Sequence, residues 1–448
     1  MKSCLFMLFA SLAFAQQPGI KTGSNANLGD ALSLLAFPGA VGFGAKAKGG
    51  RGGAVLFVEN LNDSGAGSLR AAVEAEGPRT ILFRTSGTIT LKSEITVRNP
   101  FLTLAGQTAP GGGIAIRIDG KSDIGAINIE THDVIIQHLR VRPGPAIKGS
   151  VNGGAIQMLE NAHDVIIDHC SLSWSTDEVI SGWYDARDIT VQHCIISEAL
   201  HDSVHQKGPH GMGMLFGDKN KSITIHRNLL AHNNQRNPRL NPEVKGRFQV
   251  NNNVIYNWGQ IAGEMTDDAE INLTGNLYKS GPSSRPERGV AVDGKVKIYP
   301  KDNLSPIRLD ATEPEDAIIK PWEEKMDRRK FAVSTPFSAP SLTILSATET
   351  YEAVLANVGA TRPKLDSVDQ RILADVKNGT GKIINHPSEV GGWPKLAVGK
   401  PLADQDNDGM PDAWEQAHGL NPDDPEDRNS TRVPGGYTHL EEYLHSID

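Results

Sequence analysis

The sequence predicts an all-β fold, a parallel β-helix with a C-terminal extension and a short calcium-loop tail, and three observations predict it. The segments DVIIQHL (from Asp133), DVIIDHC (from Asp164), DITVQHC (from Asp188), SITIHRN (from Ser222), RFQVNNN (from Arg247) and EINLTGN (from Glu270) share one template, with starts separated by 31, 24, 34, 25 and 23 residues. A supersecondary unit recurring at that period is the signature of a solenoid. Each copy is a polar residue, a short alternating β-branched strand and a polar corner, with almost no helical pattern between copies, so the units stack as coils of parallel strands. The seventh template position holds Leu139, Cys170, Cys194, Asn228, Asn253 and Asn276. Stacked coils put these in one column, where consecutive asparagine amides can hydrogen-bond along the stack.

Taken in order, residues 1–15 read as a signal peptide: Lys2 gives the positive start, residues 5–14 an apolar run, and Ala13-Phe14-Ala15 a small-x-small cleavage site. The run is too short to span a bilayer and no later stretch is longer. The expectation is a secreted protein, extracellular or periplasmic, cleaved near Ala15, with residues 16–35 a linker. Residues 36–300 are assigned to the β-helix. Within them Ala54-Val55-Leu56-Phe57-Val58 and Thr80-Ile81-Leu82-Phe83 read as strands, and Ser68 as the cap of one short helix.

Cleavage removes Cys4 and leaves Cys170 and Cys194, too few for a disulfide framework. Buried neighbouring thiols are expected in preference to a disulfide, because adjacent parallel strands seldom offer the right geometry. The repeat fades after Tyr278. Residues 301–400 read as an extension packed on the solenoid, polar and proline-bearing to 340, then helical over 351–358 and 367–376.

Residues 401–448 form a distinct tail resembling EF-hand and thrombospondin-type-3 calcium loops. Asp404, Asp406, Asp408, Gly409, Asp412 and Glu415 fall at positions 1, 3, 5, 6, 9 and 12 of such a loop, an array of hard oxygen ligands around a glycine turn. The bland alternative is a solvated acidic turn. A second copy before Tyr437 is degenerate, with Thr431, Val433 and Gly435 where carboxylates would stand.

A formal charge of −8 argues against a general nucleic-acid surface, so any anion site has to be local. On the middle coils Asp168, Asp177 and Glu178 are candidates for a cation, and Lys207, Arg236, Arg239 and Arg247, with Lys245 nearby, for a carboxylated chain. His201, His205 and His210 invite a zinc reading, but their spacing matches no helical pair, and loop histidines beside a groove are the simpler account.

At this point the sequence resembles the pectate lyase family of polysaccharide lyases, in its bacterial exported branch. The resemblance is carried by AFPGAVGFGAKAKGGRGG (from Ala36), NLNDSGAGSLRAAV (from Asn60), GQTAPGGGI (from Gly106), IDHCSLSWSTDEV (from Ile167) and HRNLLAHNNQRNPRLN (from His226). It implies a right-handed parallel β-helix and calcium-assisted β-elimination on polygalacturonate, giving 4,5-unsaturated ends. It further implies an arginine base, matched by Arg239, with Lys207 at the substrate carboxylate and Arg236, Lys245 or Arg247 as further contacts. Asp168 matches the aspartate of the family's IDH motif, and Asp177 the first of an acidic pair four residues apart. Ser181 stands at the second place, with Glu178 the substitute. The implied partner is an acidic polysaccharide, with no nucleic acid or membrane, and the chain is expected to be a monomer. Alternatives are a pectin lyase on methylated substrate, a β-helical glycoside hydrolase, which needs carboxylates at acid/base spacing, and a non-catalytic polysaccharide-binding solenoid.

Overall fold

The computed structural model describes residues 34–119, 125–145, 153–287 and 289–448. The expected signal peptide and nearly all of the linker lie outside the described residues.

The chain is a parallel β-helix built from sheets of ten, nine and eight strands. The template strands, including His132–Gln137, His163–Asp168, Arg187–Gln192, Lys221–His226 and Gly246–Asn251, form the ten-stranded sheet. After each polar corner a short strand such as Ser171–Ser173 or Leu229–Ala231 joins the eight-stranded sheet. The return strand, such as Glu178–Gly182, Met212–Asp218 or Arg239–Pro242, joins the nine-stranded sheet.

Local sequence explains this geometry. The residue before each corner turn takes a left-handed conformation: His138, His169, His193, Arg227 and Asn252 all have φ between 47° and 55°. The leading Asp133, Asp164 and Asp188 do the same at 50–54°. Short polar residues tolerate that region, which is why the template opens on Asp. Between these points alternate residues turn inward. Val165 lies beside Val134 and Ile189, and Ile167 beside Ile136 and Val191, all fully buried in one continuous core.

The seventh column is inward-facing throughout. Asn228 Nδ2 donates to Asn253 Oδ1 at 3.1 Å, Asn253 to Asn276 at 3.0 Å, and Asn276 to Asn303 at 2.8 Å. The ladder thus runs one coil further than the sequence repeat. Above it Cys170 and Cys194 are buried free thiols, the Cys170 N–H 3.4 Å from the Cys194 sulfur.

The glycine-rich start is a strap across the outer face of the ten-stranded sheet. Ala36, Phe37, Ala40, Ala45 and Ala47 pack on Ile135 and Ile166. A Cβ on Gly44 would stand 2.2 Å from the carbonyl oxygen of Val165, so only glycine lets the strap lie this close. The predicted helix is Leu69–Glu74, with Ser68 accepting from the Ala71 N–H. The solenoid outlasts the boundary set at 300: Lys297–Lys301 and Ile319–Pro321 add strands to the ten- and nine-stranded sheets. Charged and proline-bearing sequence hides their pattern. The extension's helices, Ala347–Ala356 and Ser367–Asn378, pack Val354, Val368, Ile372 and Val376 against Trp174, Ile195, Leu229 and Val254. Among the described residues no helix is long and apolar enough to cross a membrane.

Candidate active site

The nine-stranded sheet carries a charged cleft of about 520 Å³ on its outer face. Parallel register builds its floor. Ser181 lies beside Gln157 and Leu215, Leu215 beside Arg239, and Arg239 beside Glu264. Side chains from successive coils therefore stand in one row, although they are 20 to 35 residues apart in sequence.

Asp177 and Glu178 enter this face at the start of strand Glu178–Gly182 and are nearly buried. Arg236, from the loop before strand Arg239–Pro242, pairs with Glu178 and lies 3.9 Å from Asp177. Arg239 Nη1 is 3.3 Å from Glu264 Oε1. Asp177 also faces two histidines: His205 Nε2 is 3.3 Å and His210 Nε2 3.1 Å away, the two rings stacked with centroids 4.2 Å apart. His205 Nδ1 accepts from the Lys207 N–H, which assigns the proton to Nε2, facing Asp177. Lys207 itself is exposed on the cleft wall.

The electrostatics follow from these contacts. Burial pushes the Asp177 carboxyl up, but His210, His205 and Arg236 outweigh it and hold it below the usual carboxylate range. Burial pushes the Arg236 guanidinium down; Asp177 opposes this, and the like charge of Arg239 adds to it, leaving Arg236 below an ordinary arginine. His205 is also lowered, by burial against the opposing pull of Asp177.

The cleft thus gathers Asp177, Glu178, Lys207, Arg236 and Arg239, but three expected residues are elsewhere. Asp168 ends a strand of the ten-stranded sheet. It is fully buried, and its two oxygens accept from Gln137 at 3.1 Å, His169 at 2.9 Å and Gln192 at 2.9 Å. It is a structural acceptor at the corner, and the structure does not bring it to Asp177. Lys245 and Arg247 lie past the next corner, both paired with Glu270 at 2.5 and 2.7 Å, and Arg247 also donates to the Ser338 carbonyl at 3.1 Å. Arg247 thereby braces an outer loop against the ten-stranded sheet. Conversely Glu264 was not singled out, although its register position follows Arg239 by one coil. Ser181, in register with the cleft residues Gln157 and Leu215, is itself fully buried, its hydroxyl among those without a protein partner.

As to metals, ligand atoms of Asp177, His205 and His210 lie within 4.8 Å of one another; His201 is not in that group. In the tail, Asp404, Asp406 and Asp408 converge within the same limit, as do Asp408, Glu415 and Asp427. Burial, with crowding by the other carboxylates, pushes Asp408 up to about 7 and Glu415 up to about 8. Asp412 stands outside these groups: its Oδ1 accepts from the Gln405 N–H at 2.8 Å and closes the loop's backbone.

The fold and site define a parallel β-helical solenoid with a mixed acidic and basic cleft on one sheet, and comparison with known proteins narrows it. The chain is 35% identical over 428 residues to probable pectate lyase C of Aspergillus fumigatus, covering 93% of this chain and 94% of that protein. It is equally 35% identical over 424 residues to probable pectate lyase C of Emericella nidulans, covering 93% of each. A solved structure described for the substrate specificity and anti β-elimination mechanism of pectate lyase superposes with a TM-score of 0.51 at 14% identity, covering 75% of this chain and 99% of that one. That likeness bears on the fold alone. No family model matches the chain. The chain belongs to the pectate lyase family.

Proposed function

We propose that the cleft binds polygalacturonate and cleaves it by β-elimination, with a guanidinium as the base. The observation that carries this reading is the juxtaposition, on one sheet face, of a nearly buried carboxylate pair with two arginines and a lysine. A hydrolase would need two carboxylates facing each other across a sugar. Glu130, paired with Arg98, and the exposed Glu160 also line the cleft, but its buried carboxylates, Asp177 and Glu178, are adjacent in sequence and faced by cations.

The elimination removes the proton from C5 of a uronate. Its electrons form the C4=C5 double bond, the C4–O4 bond breaks, and the leaving oxygen takes a proton from solvent. A base held near that carbon is required, and an arginine suits the task only if it is pushed toward neutrality. Arg239 was the expected base. Arg236 meets the electrostatic requirement better, being more buried and lowered by its surroundings. We therefore assign proton abstraction to Arg236. Its pairing with Glu178 and the nearby Asp177 both oppose its deprotonation, so whatever draws charge from these two carboxylates favours the neutral base. Arg239 and Lys207 then take the substrate carboxylate. Tyr184, more than half exposed at the rim, offers a face for a sugar ring.

The donor set fits calcium. Asp177 and Glu178 supply hard carboxylate oxygens in a partly closed cleft. Asp177 and Glu178 would hold such an ion, and the chemistry it would supply there is charge withdrawal from the uronate carboxylate, which acidifies the C5 proton. The family membership and names of the relatives support the substrate; the cleft's charges support the reaction class.

The test uses purified protein with polygalacturonate and calcium at alkaline pH. We expect an ultraviolet-absorbing unsaturated product. New reducing ends without that absorbance would make it a hydrolase, and binding with neither would make it a non-catalytic solenoid.

A further inference from the structure

The tail presents a ligand set that the loop pattern alone does not contain. Asp404, Asp406 and Asp408 turn their carboxylates to one point, helped by left-handed backbone at Asn407 and Gly409, with φ of 62° and 99°. Glu415, on the helix Asp412–His418, is fully buried, and both of its oxygens lack any hydrogen-bond partner. Asp408 is 1% exposed, with Oδ2 likewise unpartnered. Asp427, twelve residues beyond Glu415, brings another unpartnered oxygen, Oδ1, while its Oδ2 accepts from the Asn421 N–H at 3.0 Å. Buried carboxylates without donors are costly unless a cation answers them. An acidic turn that was merely solvated would show its oxygens to water; these point inward.

The same loop touches the start of the solenoid. Arg84, which follows strand Arg79–Phe83, donates to Asp404 at 2.9 Å and Asn407 at 2.7 Å, and its guanidinium lies 3.4 Å from the centre of the Phe57 ring. Met410, Leu440, Tyr443 and Leu444 of the tail pack on Leu82 and Ala105. The loop that gathers the carboxylates is thus also the surface that covers the first strands of the ten-stranded sheet.

We infer that Asp404, Asp406, Asp408, Glu415 and Asp427 together hold one calcium ion, and that this ion locks the tail across the first coils of the solenoid. Asp427 takes the place that the loop spacing had given to Asp412. All ligands are carboxylates, a hard and strongly anionic set that favours calcium over softer transition metals. The inference is independent of the cleft's reaction, since no residue is shared.

The experiment uses the full chain carrying Asp177→Asn, which weakens the cleft as a competing site, stripped with chelator and titrated calorimetrically with calcium chloride. We expect one tail ion per chain, with affinity falling at least about tenfold on adding Glu415→Gln or Asp427→Asn, since affinity follows ligand charge. Parent-like binding in Glu415→Gln overturns the site; parent-like binding in Asp427→Asn alone overturns the ligand set. Both substitutions remove a charge from a repelling cluster, so in calcium-free buffer each variant is expected to melt no lower than its parent, and at any one calcium concentration the parent is expected to be raised more than either variant. Hydrogen exchange on the unsubstituted chain reads the lock without any variant. Calcium is expected to slow exchange in residues 404–446 and in the strand Arg79–Phe83. Slowing in the tail alone, or in neither, overturns the lock.

Discussion

Arg236 and Arg239 stand three residues apart, one in a loop and the other at the start of the strand that follows, and their surroundings differ. Arg236 is tucked against Asp177 and Glu178 and pushed down by burial and by Arg239, whereas Arg239 reaches Glu264 from a more open position. A conservative Arg236→Lys substitution keeps a positive charge but moves the base and restores strong hydration. It is expected to lower kcat by about a hundredfold or more, within the range a positioned base contributes, with KM nearly unchanged. Arg239→Lys is expected to raise KM chiefly. Steady-state kinetics on polygalacturonate checks both, and the opposite partition would return the base to Arg239. At this scale the sequence displayed the right residue types but not always their side of the coil. Asp168 and Asp177 are nine residues apart, and in that interval the chain passes through one whole short strand and two corners. A motif alignment sees proximity in sequence; only the corner angles decide that one carboxylate is enclosed and the other faces the cleft.

Columns along the stack are the next scale, and here the repeat was legible because one position recurs with one job. The asparagine ladder and the paired thiols are where the template puts them, since every inward corner residue must satisfy the same backbone groups of the coil below. The neighbouring column was not interpreted from the sequence: His138, His169 and His193 stack on its outer side, with centroids 5.1 and 4.7 Å apart, and His193 meets His226 edge-on. Burial lowers His193 to about 4, against the pull of Asp168 and with the push of His169 and Arg227. Burial lowers His226 to about 3, with His193 and Arg227 adding to it. Both are neutral when folded and titrate near 6.5 when unfolded. Their contribution is therefore present above pH 6.5 and is lost as pH falls toward 4, at about 1.4 kcal/mol per pH unit for each group. His169, raised by Asp168 against its own burial, acts in the opposite sense. Asp408 and Glu415, raised to about 7 and about 8, act in that opposite sense too, so the histidines are read by difference: the stability of the parent relative to His226→Gln, from urea unfolding midpoints, should fall from pH 6.5 to 4. An unchanged slope in the variant would rule out this source.

For the whole molecule, a bare solenoid has only nearest-neighbour contacts and is free to fray coil by coil. The extension supplies the missing long-range coupling. Arg142 Nη1 donates to Asp366 at 2.5 Å and its Nη2 to Asp369 at 2.8 Å, at the start of the helix Ser367–Asn378. Further along, Arg371 pairs with Glu198 at 2.7 Å, Tyr256 donates to the Thr380 carbonyl at 2.7 Å, and Lys279 to the Val376 carbonyl at 2.6 Å. One short segment therefore engages successive coils between Arg142 and Lys279. Its second helix was legible at 367–376, whereas the first, expected at 351–358, spans Ala347–Ala356 and starts behind a Ser346–Glu349 capping box. The segment's docking was not legible, because buried Arg142 and Asp369 look like ordinary surface charges in a sequence. The coupling predicts a single cooperative melt for the intact chain. Arg142→Met leaves two nearly buried carboxylates with Arg140 as their remaining cation, at 3.5 and 3.8 Å, beside the Ser171 hydroxyl and backbone N–H donors, and removing one partner of such a group costs about 3 kcal/mol or more. The variant should release the extension first, with hydrogen exchange quickening over 347–378 at temperatures where the strands His163–Asp168 and Arg187–Gln192 remain protected. If extension and sheet instead open together at the parent's melting temperature, the anchor is not what joins the coils.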